Sequence, residues 1–259
     1  PTMSPIVFDS DDTIVFDSED LHAPEPDQDV QLPDDSADTS KYELDAAPAV
    51  APHTPTYYVD LACGTGSFAR SKLRRSPAAR VLCIDRKRNQ KEIDAQIKKY
   101  FTDEEWSRVT CVNMDLTDLT LSRLTQEVKK AFQVKLAKLS AVHYSPPCET
   151  YSYAHHSNNP HRLGTMPRMG EKGILARQHD AMNGTVLKAL GEMSTRCKAV
   201  ISIENPVCHF QFMAFTKRLL SCPGWMHKQA DHCSNRDDND IIFPRKRTSW
   251  FLFNVKPDV

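Results

Sequence analysis

A cysteine follows two prolines at the end of an apolar run, in Ser145-Pro146-Pro147-Cys148. The run itself, residues 139–144, is predicted to form a buried strand. Proline has no amide hydrogen to donate and restricts the residue before it, so the chain must leave this strand as a stiff, extended loop. Ligands of open α/β sheets bind at the carboxyl ends of the strands. Cys148 is therefore either a nucleophile at such a site or one more structural cysteine.

A glycine-containing turn follows the first predicted strand, which covers residues 56–62 and runs into Cys63-Gly64-Thr65-Gly66. The two glycines permit a tight turn and the close approach of a ligand to the backbone ahead of a helix. The second strand, 80–84, ends in Asp85, nineteen residues beyond Gly66. An acid at that place binds ribose hydroxyls in nucleotide-binding βαβ units, so these features together predict a nucleotide-type ligand.

The remaining periodicity predicts an alternation of strands and helices. Helices are predicted to end near residue 100 and to cover 121–135, 174–195 and 210–220, with strands at 109–113, 139–144, 199–203, 228–233 and 249–254. Asp115 lies just past the third strand, and the fifth strand ends in Glu204-Asn205-Pro206. This order predicts an α/β fold: a doubly wound, mostly parallel, seven-stranded Rossmann-like sheet with a late antiparallel hairpin.

The charge of the chain is divided sharply between its two parts. Residues 1–55 carry 14 acidic side chains and one basic one, Lys41, a net charge of −13. Since the whole chain has a net charge of −1, residues 56–259 carry +12. We expect a disordered acidic tail at 1–55 and one folded domain at 56–259. A cationic domain with an acidic tail favours a nucleic-acid partner, with a merely solubilising tail as the alternative.

The eight cysteines are widely spaced and form no CxxC pair, which is typical of reduced thiols rather than of a disulfide framework or a zinc site. No apolar run has membrane-spanning length, and no secretory signal pattern is present. We therefore expect no membrane partner, no bound metal and no secretion, and a nuclear location in a eukaryote or a cytoplasmic one otherwise.

Residues 5–20 contain a near-duplication of a short β-branched run followed by acids and a serine. The pattern resembles a SUMO-interacting motif, which binds by adding a strand to a sheet edge. SUMO or another protein is the partner that this resemblance implies.

Residues 151–173 are polar and lack a clear period, and a loop of this length inside a compact domain is usually functional. We expect this segment and the proline–cysteine loop to contact substrate phosphates and bases through Pro147, Tyr151, His155, His156, Arg162 and Arg168.

Taken in order, these motifs resemble the class I S-adenosylmethionine-dependent methyltransferases, and most closely the DNA cytosine-C5 methyltransferases in a short, phage-type form. Asp60 to Gly66 is similar to the cofactor loop, Ser145 to Cys148 to the Pro-Cys loop, and Glu204-Asn205-Pro206 to the Glu-Asn-Val element. The resemblance covers about residues 56–254. The cofactor-binding residues that it implies are Asp60, Ala62, Cys63, Gly64, Thr65, Gly66, Asp85, Arg86, Asp115, Leu116, Ser145 and Pro146.

The resemblance also implies a covalent mechanism on cytosine in DNA, or in RNA. Cys148 would add to C6, Glu204 would hold or protonate N3, and Arg245 or Arg247 would bind the base carbonyl or a phosphate. A base inside a duplex cannot reach such a site, so it must be flipped out or already be single-stranded.

Two departures from the family keep other functions open. Glu149 stands where the family has glutamine, and a negative charge beside a thiolate raises its pKa. The sequence also has no long target-recognition segment and no closing Gly-Asn-Ser element. The alternatives are a catalytically weak nucleic-acid-binding or scaffold protein on the same fold, and an amino-methyltransferase in which Tyr151 stacks on the base.

Removing residues 1–55 should tighten nucleic-acid binding at low salt, because the deleted segment competes with phosphate for the cationic domain. Fluorescence anisotropy of a labelled oligonucleotide, measured with the full chain and with residues 56–259, tests this. Equal affinity of the two proteins would refute a competing tail.

Overall fold

The computed structural model describes residues 54–87, 89–151, 159–231 and 247–255, without the side chains of 230, 231 and 247. Several predictions concern residues outside these ranges. They are the acidic tail at 1–55 except for its last two residues, the repeat at 5–20, His155, His156 and Arg245. Within them, no helix is long and apolar enough to cross a membrane.

The described chain alternates strands and helices, as the sequence predicts. Its strands are β1 (Thr56–Leu61), β2 (Ala79–Asp85), β3 (Val109–Asn113), β4 (Leu139–Tyr144), β5 (Arg162–Leu163), β6 (Met166–Pro167), β7 (Val200–Pro206), β8 (Trp225–Asp231) and β9 (Arg247–Phe253). Its helices are α1 (Ser67–Arg75), α2 (Gln90–Lys98), α3 (Asp103–Trp106), α4 (Leu121–Phe132), α5 (Ile174–Ser194) and α6 (Ala214–Leu220).

Seven of the strands form one sheet in the order β3-β2-β1-β4-β7-β9-β8. Strands β1, β2, β3, β4 and β7 pair in parallel, and β9 pairs antiparallel with both β7 and β8. This confirms the doubly wound, mostly parallel, Rossmann-like sheet with a late antiparallel hairpin. The direction in which successive strands are added reverses between β1 and β4, which is the switch point where open α/β sheets bind ligands.

Helices cover both faces of this sheet because its central strands are apolar on both sides. Along β2, Leu82 and Ile84 enter a core cluster that includes residues of α4, α5 and α6. Val81 and Cys83 point the other way, into a second cluster with α1 and α2. The alternation of side chains along a strand therefore assigns the two helix groups to opposite faces.

Some element boundaries differ from the predicted ones for local reasons. The helix predicted at 121–135 ends at Phe132, because Gln133 adopts a left-handed conformation that closes it. The helix predicted at 210–220 is divided into a 3₁₀ turn, His209–Phe212, and α6. The segment 151–173, predicted to be irregular, contains the β5–β6 hairpin and a 3₁₀ turn at Glu171–Gly173.

The junction between the 3₁₀ turn at Glu171–Gly173 and α5 is closely packed around Gly173. A Cβ atom built on Gly173 would lie 1.8 Å from the carbonyl oxygen of Arg168. The backbone of Gly173 is right-handed, so the obstacle to a side chain here is steric contact rather than backbone conformation.

Gly173→Ala should destabilise the protein by roughly 1–3 kcal/mol or more, since a methyl group must displace backbone. Gly184→Ala is the matched control: it lies inside α5 with nothing within 4 Å of the added Cβ. It should stabilise the fold by up to about 1 kcal/mol through helix propensity. Urea denaturation measures both free energies of unfolding, and equal effects of the two substitutions would contradict the packing described.

Candidate active site

A cleft of about 560 Å³ lies at the carboxyl edge of the sheet. The residues around it come from the loop after β1, from α1, from the ends of β4 and β7, and from β9. They are Asp60, Ala62, Cys63, Gly64, Thr65, Ser67, Phe68, Ser71, His143, Ser145, Glu204 and Trp250. The structure thus brings together the predicted glycine loop, Ser145 and Glu204.

The two glycines of the loop after β1 are required by its backbone. Gly64 and Gly66 have φ angles of 54° and 72°, in the left-handed region that glycine occupies without strain. A Cβ on Gly66 would also meet the Phe101 ring at 3.0 Å. The amide of Gly64 donates to Asp85 Oδ2 at 2.9 Å, so the acid at the end of β2 holds the turn in place.

Asp60 lies at the end of β1, buried, and its Oδ2 atom accepts no hydrogen bond from the described residues. Burial raises its pKa to about 8, with the nearby Asp85 carboxylate adding to the shift and the Ala69 amide opposing it. The carboxyl is therefore mostly protonated near pH 7, and its ionised form would leave a buried oxygen without a partner unless a ligand donates to it. The site therefore fits a ligand that carries an ammonium or another N–H group into the cleft.

Asp115 and Arg86 form an ion pair with 2.6 Å between Asp115 Oδ2 and Arg86 Nη1. The Asp115 carboxylate also accepts from the amide and the hydroxyl of Thr117. Beside Asp115 is a smaller cleft of about 330 Å³. The side chain of Leu116 belongs instead to the apolar core, which corrects its assignment as a cofactor contact.

Asn205 joins the loop after β4 to the loop after β7. Its side chain is fully buried, and its Nδ2 donates to the carbonyl of Pro146 at 3.2 Å. Its Oδ1 accepts from the Cys208 thiol at 2.9 Å. A second link runs from the His209 amide to the carbonyl of Tyr151, at 3.1 Å. The loop that carries Cys148 is therefore fixed against the strand that carries Glu204.

Cys148 and Cys208 differ in their exposure to solvent, which helps to separate a reactive thiol from a structural one. Cys208 is buried, and burial raises its pKa to about 12, partly opposed by the Phe210 amide. It therefore keeps its proton and donates it to Asn205. Cys148 is partly exposed in the loop after the two prolines. Of these two thiols, Cys148 is the one available for attack on a substrate.

His143 is a buried polar residue that the sequence analysis did not assign. Its ring is stacked on Phe68 at a centroid distance of 4.5 Å. Nδ1 lies 2.9 Å from Ser202 Oγ, and Nε2 lies 2.9 Å from Ser145 Oγ. Burial lowers its pKa to about 4, with the nearby Lys72 adding to the shift, so the ring is neutral. The one available signal was a histidine inside the apolar run of β4.

Tyr151 and Arg162 are not free to contact a substrate, which corrects both assignments. Tyr151 is fully buried, and its hydroxyl donates to Asp180 at 2.7 Å and accepts from Asn183 at 2.8 Å. Arg162 is also buried and pairs through both terminal nitrogens with the Asp180 carboxylate, at 2.5 and 3.1 Å. Its guanidinium lies over the Tyr151 ring, 4.2 Å from the centroid. Both side chains hold the substrate side of the fold together.

Arg168 also has a structural contact, because its Nε donates to the carbonyl of Asn159 at 2.9 Å. The remaining charged neighbour of the cysteine, Glu149, is exposed and lies 3.6 Å from Nε2 of His179. Burial lowers the pKa of His179, so the ring is mostly neutral near pH 7 and the contact is a weak one. Pro147 is partly exposed beside Cys148, whereas nothing is described for the side chain of Arg247, the first residue of β9.

No family model matches the sequence, and no curated protein does. Among solved structures, the chain is similar to the methyltransferase EhMeth of Entamoeba histolytica, with 15% identity and a TM-score of 0.46 over 80% of this chain and 55% of that one. It is also similar to precorrin-6y C5,15-methyltransferase of Geobacter metallireducens, with 12% identity and a TM-score of 0.41 over 79% and 82%. For TrmN of Thermus thermophilus the values are 11% and 0.43, over 78% and 45%.

The chain thus spans about half the length of the Entamoeba and Thermus proteins. At these levels of similarity, the cofactor and the substrate have to be inferred from the site itself.

The buried His143 should make stability depend on pH. Between pH 6.5 and 4, the unfolded chain binds a proton on this ring and the folded chain does not, so stability is complete above pH 6.5 and is lost as the pH falls towards 4. The loss should reach about 2–3 kcal/mol by pH 4.5. His143→Gln keeps an amide donor and acceptor but removes the titration.

Chemical denaturation of both proteins from pH 7.5 to 4.5 measures the effect. Asp60 also titrates and pairs with His143 across β1 and β4, so both proteins are measured with Asp60→Asn as well, which removes that titration. His227→Gln is the matched control and should give a smaller change, since burial lowers that pKa at a more exposed ring. A difference between wild type and His143→Gln that stays constant with pH would contradict the assignment.

Proposed function

We propose that this chain is an S-adenosylmethionine-dependent methyltransferase that modifies C5 of cytosine in nucleic acid, preferably DNA, through a covalent bond to Cys148. The observation that carries the proposal is the Asn205 side chain, which fixes the Cys148 loop against the strand end bearing Glu204. Cys148 thereby belongs to a loop that is tied to β7, and Ser145 of the same loop lines the cleft together with Glu204.

The cofactor assignment is supported by the residues around the cleft. Gly64 lines the cleft with open space where a side chain would stand, and Asp85 holds the turn at the place where ribose hydroxyls bind in this class of fold. The partnerless Oδ2 of Asp60 suits the ammonium group of S-adenosylmethionine. When bound, this cofactor supplies an electrophilic methyl group.

The chain's own residues account for the activation of the base. The thiolate of Cys148 forms a bond to C6, and the electrons of the C5–C6 double bond move towards C5. Glu204 supports this shift by holding or supplying a proton at N3, which withdraws electrons from the ring. Once C5 has accepted the methyl group, which would leave the cofactor as S-adenosylhomocysteine, the C5 proton passes to solvent. The electrons of the C5–H bond re-form the C5–C6 double bond, the Sγ–C6 bond breaks, and Cys148 leaves as a thiolate. A cysteine thiolate is a strong nucleophile, and Cys148 is partly exposed in its loop.

An amino-methyltransferase is less well supported than carbon methylation. That activity would need an aromatic side chain beside the base, and Tyr151 is buried with its hydroxyl bonded to Asp180 and Asn183. The second candidate function is a nucleic-acid-binding protein without catalysis, which the net charge of +12 on residues 56–259 favours.

An oligonucleotide containing 5-fluorocytosine should form a covalent adduct with the protein in the presence of S-adenosylmethionine. Fluorine at C5 cannot leave as a proton does, so the Sγ–C6 bond is trapped and survives a denaturing gel. Cys148→Ser should abolish the adduct. Cys222→Ser, at a partly exposed thiol between α6 and β8, is the matched control and should retain it.

Binding without an adduct on DNA and RNA, in single-stranded and duplex form, would leave the nucleic-acid-binding function and refute the enzyme. An adduct that persists in Cys148→Ser would show that another residue attacks the base.

A further inference from the structure

Apolar side chains are exposed together on the β5–β6 hairpin and the segment that follows it. Leu163 is 61% exposed, Met166 68%, Met169 91% and Ile174 45%. They are four of the six large apolar side chains that are exposed in the described parts of the chain. Such a cluster is a contact surface rather than the ordinary scatter of surface apolar residues.

The tip of this hairpin is paired and short. Leu163 and Met166 are directly opposite each other across the two strands, on one face, and Gly164 takes the positive φ angle of the turn between them. The neighbouring pair, Arg162 and Pro167, points to the other face, where Arg162 is buried. The apolar pair is therefore presented outward by the alternation of the strands.

The hairpin is braced against the loop that carries Cys148. Arg162 is held by both oxygens of Asp180 and lies over Tyr151, three residues after Cys148. Asn159, at the base of the hairpin, donates to the carbonyl of Thr150 at 3.2 Å. An apolar tip on so firmly anchored a base keeps a defined position relative to the candidate nucleophile.

The surroundings of the hairpin are cationic. Arg168, Lys172 and Arg177 form no ion pair with the described residues. Arg168 and Arg177 donate to backbone carbonyls, which fixes their positions without neutralising their charge. Glu171 is the only acidic residue between 159 and 179. The buried charge of Arg162 is compensated by Asp180. An apolar tip within a positive rim matches the arrangement by which proteins insert Leu, Met or Pro between base steps while cations bind phosphates.

We propose that the β5–β6 hairpin is a wedge that enters double-stranded DNA beside the target cytosine, with Leu163 and Met166 packed against the bases and the basic rim on the phosphates. The proposal rests on the proposed function, since a paired base must leave the stack to reach Cys148. Leu163 and Met166, instead of Arg162 and Tyr151, are then the side chains of the 151–173 segment that contact the substrate.

The test compares the full chain with a double variant, Leu163→Ser/Met166→Ser, whose changes are at exposed positions and should leave the fold intact. Tyr100→Ser, at an exposed aromatic side chain after α2, is the matched control. Each protein is given duplex DNA with 2-aminopurine beside the target, whose fluorescence rises when the base is unstacked. Adduct formation is measured in parallel with 5-fluorocytosine in a duplex and in a single strand.

Wild type and Tyr100→Ser should raise the fluorescence, and the double variant should not. Because unstacking costs a few kcal/mol per step, adduct formation on the duplex should fall at least about tenfold in the double variant. On the single strand it should be unchanged. Equal behaviour of wild type and the double variant on the duplex would overturn the proposal, as would an equal loss on both substrates.

A self-association that the double variant abolishes, with unchanged DNA unstacking, would identify the hairpin as an interface between copies of this chain and refute the wedge. Failure of the proposed function is distinguishable: wild type then forms no adduct on any substrate, while the 2-aminopurine signal still reports whether the hairpin unstacks DNA.

Discussion

The side chain of Asn205 sets the geometry of the candidate site. Parallel strands place the loops after β4 and β7 at the same edge, but two prolines leave the first loop with few amides of its own to hold it. Asn205 compensates by donating to the Pro146 carbonyl, and its other end is fixed by the protonated thiol of Cys208. The loop that carries the Cys148 thiol is thus fixed relative to β7, the strand that carries the Glu204 carboxylate.

The substrate side of the site depends on a second buried network. The Tyr144 hydroxyl donates to Asn183, Asn183 to Tyr151, and Tyr151 to Asp180, which binds Arg162. Buried polar groups of this kind are stabilising only when every partner is present. Tyr151 and Arg162 therefore hold β4, α5 and the hairpin together. In the function proposed above, the contact with substrate is made by the exposed surface of the hairpin.

The sequence was sufficient for the sheet and for the glycine loop because both follow from local patterns. Strand periodicity predicted a mostly parallel sheet, and the spacing of Gly64, Gly66 and Asp85 predicted a nucleotide-type ligand beside the first two strands. It was insufficient for Arg162, because nothing local reveals that Asp180, on a later helix, neutralises it. The sequence was also insufficient for His143, because one of its two partners, Ser202, lies beside it only when β4 and β7 pair.

Carbon methylation by way of Cys148 is the central claim, and the chemical identity of the methylated base tests it most directly. DNA is incubated with the protein and isotopically labelled S-adenosylmethionine and is then digested to nucleosides. The nucleosides are separated by chromatography and identified by mass spectrometry. With the wild type, we expect the isotopic label in 5-methylcytosine. With Cys148→Ala, we expect no label in this base. Label in N4-methylcytosine or N6-methyladenine, or label in 5-methylcytosine that persists in Cys148→Ala, would contradict it.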